Sequence, residues 1–375
     1  MIRLIRSLIL LSVALVSVTT FGAETTEARP RPGVHLTPKG FRTPVYGMSR
    51  VSRDGQAGVS CQRLSDGQLE AARFSRAVSR GVALRSPRST VQAVRGGRAF
   101  EIIYADAPGT GFNDAREGAV RKRALEAAMN AWALVLDTTI PIVIEARMEA
   151  PDSEETRDLL ASAGPVDFFD FDEYYVPAAL ASQLVDEPIN EGSSDIEVLF
   201  NSEVDWDYAT NGAAAPGKAS FVYVTIHEIG HGLGFVDSFD PDEGEVMNGL
   251  PFPFDLFVNR GSSRDNFLVD RSTREVRSDL ISDDLYFNGP GAIEASRRSI
   301  VPLPMIKLYA PDPYQAGSSI AHVDQNSYSN FKVGLMTPYD FGSGTDKIDV
   351  LTLGILKDMG YRLVPNATVA ALPRR

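Results

Sequence analysis

The sequence predicts a domain of mixed strands and helices, α/β or α+β, over about residues 97–363. Its composition is ordinary for a globular protein, with 43% hydrophobic and 23% charged residues among 375, so the chain can bury a substantial core. Segments with strand-like patterns are interspersed with segments of helical periodicity. The resulting order is strand, helix, strand, strand, helix, which is typical of both fold classes.

The first predicted elements lie between residues 100 and 200. Residues 100–104 form a short apolar run followed by turn glycines, which predicts a strand. Residues 115–136 carry apolar side chains on one side of a long helix. Residues 138–144 are β-branched and residues 196–200 alternate in polarity, so both segments predict strands.

Two helices and an insertion complete the predicted domain. Residues 221–232 predict an apolar helix, and residues 346–359 predict a terminal helix. Between them, residues 241–318 are rich in Gly, Pro and Asp and contain only short apolar runs. This composition predicts a long insertion with much loop.

The N-terminus has the features of an export signal. Arg3 and Arg6 precede an apolar stretch over residues 8–18, and small residues follow at 22–23. We expect residues 1–23 to be a cleaved signal peptide; a retained anchor is the alternative. No later stretch approaches the roughly 20 apolar residues of a membrane helix. We therefore predict a secreted protein, extracellular or periplasmic, with no stable membrane span after cleavage.

Charge divides the remaining chain into a basic leader and an acidic body. Residues 24–98 have a net charge of +9, whereas residues 99–375 have a net charge of −23. We assign residues 24–96 to a leader that is a candidate propeptide, with one helix over 65–81, and residues 364–375 to a C-terminal tail. The overall charge of −12 argues against nucleic acid as a partner.

The most informative motif is His227-Glu228-Ile229-Gly230-His231. Residues four apart on a helix project from one face, so His227 and His231 can bind one metal ion. Imidazole nitrogen suits Zn²⁺. Glu228, turned about 100° away, can act as a general base toward a metal-bound water. A chance pair of core histidines is the alternative, weakened because the chain has only four histidines.

A catalytic zinc site needs a third protein ligand and an open position. Asp237 and His322 are the candidates, and we favour His322 because imidazole is the commonest ligand of catalytic zinc. The alternatives are turn chemistry for Asp237 and a polar surface position for His322. The acidic run 237–245 is also a candidate Ca²⁺ site, but it lacks a regular ligand loop, so a solvated turn is favoured.

The segment His227–Phe235, with the letters HEIGHGLGF, resembles the metzincin clan of zinc endopeptidases. It is similar to the leishmanolysin arrangement, in which a long insertion precedes the third histidine and the Met-turn. Here His322 is followed by Gly334-Leu335-Met336-Thr337-Pro338, which resembles the Met-turn, with Met336 beneath the metal. Asp237 occupies the position of the third ligand in most metzincins, and a small branch of secreted bacterial metzincins has Asp there.

The resemblance implies an α+β fold with a twisted, mostly parallel sheet, an active-site helix and a C-terminal helix. Residues 195–201 would be the edge strand to which protein or peptide substrates add; an ordinary core strand is the alternative. The implied function is that of a secreted zinc endopeptidase. Its general base would be Glu228, and one catalytic Zn²⁺ would be bound by His227, His231 and His322.

Two questions stay open at the level of sequence. The chain could instead be a secreted binding or surface protein with a structural or degenerate zinc site, although the presence of Glu228 argues against this. Cys61 is the single cysteine and has no internal disulfide partner. In the matrix metalloproteinases, of the same clan, a leader cysteine ligates zinc and holds the enzyme latent. The residues around Cys61 do not reproduce that leader motif, so a buried, inert cysteine is favoured.

Overall fold

The computed structural model describes residues 44–53, 56–65, 86–93, 96–151, 153–154, 156–190, 192–210, 214–298, 305–328, 334–340 and 347–365. The predicted signal peptide lies outside these residues. So do most of the predicted leader helix and most of the C-terminal tail.

The described residues contain both strands and helices, and the fold is α+β. The strands are β1 (Tyr46–Arg53), β2 (Gln56–Arg63), β3 (Arg88–Gln92), β4 (Arg98–Tyr104), β5 (Ile142–Glu149), β6 (Leu159–Pro165), β7 (Phe168–Asp170), β8 (Tyr175–Pro177), β9 (Ile196–Asn201), β10 (Trp206–Asp207), β11 (Ala219–Ser220), β12 (Val258–Arg260), β13 (Leu285–Phe287), β14 (Ile306–Lys307) and β15 (Tyr339–Asp340). The α-helices are α1 (Gly118–Ala133), α2 (Ala178–Val185), α3 (Phe221–Gly232), α4 (Thr273–Asp279), α5 (Pro290–Arg298), α6 (Gln325–Tyr328) and α7 (Val350–Met359).

Eight strands form one sheet in the order β15-β2-β1-β6-β9-β5-β4-β3. Strands β4, β5 and β9 are parallel to one another. Every other pairing in this sheet is antiparallel. The sheet is therefore mixed, and the prediction of a mostly parallel sheet holds only for the three strands β9, β5 and β4. The difference arises because the leader strands, β6 and β15 all add in the antiparallel direction.

The segment predicted as the edge strand, residues 195–201, forms the interior strand β9. It pairs with β5 on one side and with β6 on the other. The edge-strand prediction is therefore wrong, and the alternative of a core strand is correct. Alternating polarity could not separate the two, because residues 196, 198 and 200 are buried in either case.

The leader contributes three strands that were not predicted. β1 and β2 form an antiparallel hairpin whose register runs from Tyr46 opposite Arg63 to Arg53 opposite Gln56. This hairpin lies between β6 and β15, and β3 pairs with β4 at the opposite edge of the sheet. Leader and body thus share one sheet.

Helix α3 is the central helix of the body. Its N-cap is Ser220, whose side chain accepts a hydrogen bond from the Tyr223 amide. It packs against β6, β9 and α1. From α1, the Trp132 indole donates to the Ile226 carbonyl at 3.2 Å. The predicted bounds of this helix, 221–232, match the structure.

The predicted insertion over residues 241–318 is more ordered than its composition indicates. It contains the small sheet β12-β13-β14 together with α4 and α5. Asp358 of α7 accepts hydrogen bonds from the Gly291 and Ala292 amides at the start of α5, both at 2.7 Å. The insertion is thereby attached to the C-terminal helix. Among the described helices, none has the length and apolarity needed to cross a bilayer.

A substitution at Gly232 tests the packing of α3 on the sheet. A Cβ there would lie 2.4 Å from Cγ2 of Ile196, a buried β-branched side chain that cannot easily rotate away. We expect Gly232→Ala to lower the free energy of unfolding by about 1–3 kcal/mol, measured by denaturant titration. Combined with Ile196→Ala, the loss should be well below the sum of the two single losses.

Gly230→Ala is the matched control for this prediction. Its Cβ would meet only the terminal Sδ and Cε atoms of Met336 as close contacts, and a flexible methionine can adjust at lower cost. Equal losses at the two glycines, or strictly additive effects at Gly232 and Ile196, would contradict the described packing.

Candidate metal centre

Four side chains from distant parts of the chain converge beside α3. They are Cys61 of β2, His227 and His231 of α3, and His322, which follows the insertion. One ligand atom from each lies within 4.8 Å of every other. All four residues are fully buried.

The separations within this cluster suit a metal ion. Nε2 of His231 lies 3.2 Å from Nε2 of His227 and 3.4 Å from Sγ of Cys61. Neighbouring ligands of a tetrahedral zinc ion are roughly 3.3–3.6 Å apart, given metal–nitrogen distances near 2.0 Å and metal–sulfur distances near 2.3 Å. The cluster could therefore hold a metal ion.

Backbone carbonyls orient each of the three imidazole rings. His227 Nδ1 lies 2.7 Å from the Leu335 carbonyl, His231 Nδ1 lies 2.7 Å from the Phe235 carbonyl, and His322 Nδ1 lies 3.0 Å from the Ser318 carbonyl. A carbonyl oxygen only accepts, so each Nδ1 carries the proton and each Nε2 presents a lone pair. This is the arrangement that fixes metal-ligating histidines.

The inward nitrogens are neutral acceptors without nitrogen or oxygen donors among the described residues. Burial lowers the pKa of His227 to about 4 and lowers the pKa of His231 and His322 well below the usual value, so all three rings are neutral. Two neutral acceptors 3.2 Å apart cannot form a hydrogen bond with each other. Among the described residues, Nε2 of His322 has no hydrogen-bond partner at all. A shared metal ion would satisfy all three lone pairs.

Cys61 is held at the cluster by its backbone. Its amide donates to the Pro338 carbonyl at 2.7 Å, and its carbonyl accepts from the Ser318 hydroxyl. Burial raises the pKa of its thiol well above the usual value, and the nearby Glu228 raises it further. The favoured interpretation from sequence, a buried and inert cysteine, is confirmed for its burial, whereas its inertness stays a prediction; the structure adds that the sulfur lies 3.4 Å from Nε2 of His231.

Glu228 lies next to the cluster and is fully buried. Burial raises its pKa well above the usual value, and the backbone amides of Met48 and Ala163 offset part of that rise. Within the described parts of the chain, neither carboxylate oxygen makes a hydrogen bond of normal geometry. A buried carboxyl group in this state is costly to the fold.

The segment that resembles a Met-turn lies beneath α3. The Leu335 carbonyl accepts from His227, and the Met336 carbonyl accepts from the amide of Val323, the residue after His322, at 2.8 Å. The Leu335 amide donates to Asp349, the N-cap of α7, at 2.7 Å. Met336 itself is buried against Gly230. The turn therefore connects two of the histidines to the C-terminal helix.

Asp237 lies outside the ligand cluster. Its Oδ2 accepts the Tyr46 hydroxyl at 3.0 Å and its Oδ1 accepts the Phe239 amide at 3.1 Å. Burial raises its pKa to about 6. Farther along the acidic run, Asp240 accepts from the amides at 242 and 243 as an ordinary turn. In the described part of the chain, the cysteine–histidine cluster is the one group of three or more converging ligands, so the structure gives calcium no support.

Comparison with known proteins adds little to this geometry. A family model described as SPBPB7E8-like matches residues 166–255. That segment contains α3 with His227 and His231, but it excludes Cys61 and His322. No curated protein and no solved structure matches the chain.

The third histidine ligand can be tested by metal content. We expect His322→Ala to lower the metal retained after dialysis from about one ion per chain to a small fraction, since it removes one of the converging nitrogens. Asp237→Ala should keep the metal, because its carboxylate bonds to Tyr46 instead. Atomic absorption on the two purified variants measures both. The opposite pattern, with metal lost only from Asp237→Ala, would contradict the described cluster.

Proposed function

We propose that the chain is a secreted zinc-dependent endopeptidase of the metzincin type, exported in a latent form. The observation that carries this proposal is Glu228. It is a buried carboxyl group whose oxygens make no hydrogen bond of normal geometry among the described residues, next to a cluster of converging histidine nitrogens. A purely structural metal site has no use for such a group.

Zinc fits the donors present. Three neutral imidazoles and one thiol form a mixed nitrogen and sulfur set, which suits Zn²⁺ better than Mg²⁺ or Ca²⁺, both of which prefer oxygen ligands. His227, His231 and His322 would hold the ion, and Cys61 would fill the fourth position. Zinc bound there supplies a Lewis acid that lowers the pKa of water toward neutrality and polarises a peptide carbonyl.

The chain's own contribution to peptide hydrolysis comes from Glu228. In its ionised form the carboxylate accepts a proton from the attacking water, and it then delivers that proton to the leaving amine. Its burial excludes competing water, and its raised pKa makes it able to hold the proton between the two steps. The surrounding carbonyl hydrogen bonds keep the imidazoles fixed while this transfer takes place.

Substrate strands are proposed to pair with β6 rather than with β9. β9 is paired on both sides, whereas the second edge of β6 is occupied by β1 of the leader. Without the hairpin, β6 would present a free row of backbone donors and acceptors beside Glu228. An extended polypeptide can add to such an edge as an extra strand.

Latency follows from the same contacts. The β1–β2 hairpin occupies the β6 edge, and it also brings Cys61 to the three histidines, where its sulfur would be the fourth ligand. A thiolate there would take the place of water. The net charges of +9 for the leader and −23 for the body add a long-range attraction. We propose that removal of this hairpin activates the enzyme.

A structural metal site is the second candidate, because four protein ligands are typical of structural zinc. In that case the protein would be a secreted binding or surface protein. The two candidates differ in what Cys61 does. A structural site loses its metal and its fold without the thiol, whereas a latent catalytic site keeps three histidine ligands and gains an open position.

Substitution of Glu228 tests the catalytic role. We expect Glu228→Gln to keep its zinc and its fold, and to lose peptidase activity by a factor of about 10²–10⁴, the usual contribution of a general acid–base. The measurement is hydrolysis of casein by activated chain, with zinc content and circular dichroism as controls. Activity close to that of the wild type would refute the assignment.

Substitution of Cys61 tests latency. We expect full-length Cys61→Ser to retain zinc and to be at least about tenfold more active than the full-length wild type, because hydroxyl is a much weaker zinc ligand than thiolate and the hairpin, no longer held by the metal, opens more often from the β6 edge. A thiol-modifying mercurial should activate the wild type to a similar level and have no effect on the variant.

The neighbouring variant Gln62→Ser is the matched control, since consecutive side chains of a strand point to opposite faces. It should remain latent. If Cys61→Ser instead loses its metal and unfolds, and Gln62→Ser does not, the structural-site candidate is correct.

A further inference from the structure

Tyr46 of the leader is fully buried against the metal centre. Its ring stacks on His231 with centroids 4.3 Å apart and an interplanar angle of 10°, and it meets His322 edge-on at 6.1 Å. Its hydroxyl donates to Oδ2 of Asp237 at 3.0 Å. The phenol therefore spans a pocket from two of the metal-binding imidazoles to a carboxylate.

The carboxylate at the end of this pocket belongs to the body of the protein. Asp237 follows α3 and is buried. A second buried acid, Asp255, is satisfied locally by the amide and hydroxyl of Ser238 and by the Phe252 amide. The donors to Asp255 all come from the body, whereas Asp237 accepts its hydrogen bond at Oδ2 from Tyr46 of the leader.

The guanidinium of Arg63 lies near enough to Asp237 to lower the pKa of that carboxyl, but the hydrogen bond from the hairpin to Oδ2 comes from the Tyr46 hydroxyl. Arg63 lies opposite Tyr46 in the hairpin register. Its Nη2 approaches Sδ of Met247 at 2.7 Å. The group that donates to Asp237 from the hairpin is therefore the phenolic hydroxyl, and the pocket holds an aromatic ring rather than a guanidinium.

Tyr46 reaches the pocket from the strand position proposed for substrates. It pairs with Ala163 of β6, and Met48 pairs with Ala161. Glu228 lies near the amides of Met48 and Ala163. A substrate strand that replaces β1 on the same edge would direct one of its side chains into the pocket that Tyr46 fills.

Loss of the hairpin removes the hydroxyl donor that the leader supplies to Oδ2 of Asp237 and opens the space that the Tyr46 ring fills. A hydroxyl that enters the same space can accept this role, and a site that bonds a hydroxyl discriminates strongly against the analogue that lacks it. We propose that this pocket is the subsite for a tyrosine side chain of the substrate, with Asp237 as the residue that recognises the phenolic hydroxyl. The inference rests on the proposed peptidase function.

The kinetic test uses zinc-loaded full chain, carrying a recognition sequence for a site-specific protease in place of part of residues 67–84. After folding, the chain is cut at that sequence and treated with a mercurial to displace the hairpin. Substrates are pairs of peptides that differ only by Tyr or Phe at one position near the scissile bond, with that position varied along the peptide.

At one position we expect kcat/KM to be at least about tenfold higher for Tyr than for Phe, which corresponds to about 1.4 kcal/mol. Asp237→Ala should abolish this preference while zinc is retained, and the turn variant Asp240→Asn should preserve it.

Equal cleavage of Tyr and Phe peptides, a preference that survives Asp237→Ala, or a preference for Arg at that position would overturn the inference and leave the peptidase function intact. If activated chain shows no more hydrolysis than Glu228→Gln, the proposed function fails, and the inference fails with it.

A second measurement uses uncut chain and does not depend on activity. Labelling of Cys61 by a thiol reagent reports how often the hairpin opens. We expect Tyr46→Phe to accelerate labelling about tenfold in the wild-type background and to add little in Asp237→Ala, since the hydroxyl and carboxylate form one bond. Additive effects of the two substitutions would show that Asp237 does not recognise the hydroxyl.

Discussion

The metal centre depends on three hydrogen bonds between imidazole Nδ1 atoms and backbone carbonyls. Each carbonyl comes from a different segment: Phe235 just after α3, Ser318 at the end of the insertion, and Leu335 in the turn beneath the helix. Because carbonyls only accept, these bonds fix the tautomer and direct all three Nε2 lone pairs inward. The folded chain therefore creates a candidate metal site, in which three lone pairs would favour a cation.

Further hydrogen bonds connect the histidine cluster to the C-terminal helix α7. Leu335 connects His227 to Asp349, and Asp349 caps α7 through the Leu351 and Thr352 amides. At the other end of α7, Asp358 caps α5 of the insertion that leads to the third histidine. Two buried carboxylates, one near each end of helix α7, thus fix the position of the turn and of the insertion relative to α3.

Short-range signals in the sequence were sufficient to predict helix α3 and the common face of its two histidines. They were not sufficient to predict how the strands pair in the sheet. The apolar pattern of residues 221–232 predicted helix α3, and on that helix the spacing of His227 and His231 placed both side chains on one face. β9 was misplaced because an alternating strand is buried equally well at an edge or in the interior. The leader hairpin was missed although Asp54-Gly55 is a strong hairpin dipeptide, because the flanking strands are rich in Gly, Ser and Arg. The contact of Cys61 with His231 spans 170 residues, and no local pattern encodes it.

The position of the leader strands indicates where a cut would release the proposed inhibition. The hairpin lies between β6 and β15, whereas β3 pairs with β4 at the opposite edge of the sheet. The contacts of the hairpin with the metal centre and with Asp237 are intramolecular, and their strength depends on the high effective concentration that a covalent connection provides. A cut between β2 and β3 removes that connection, so the hairpin can dissociate even though Cys61 and Tyr46 are unchanged. The same cut leaves β3 in place to protect β4 from exposure as an edge. A cut at residue 97 would instead remove β3 as well and expose that edge. In the proposed mechanism, the boundary between inhibitor and enzyme therefore precedes β3, earlier than charge and composition alone suggest.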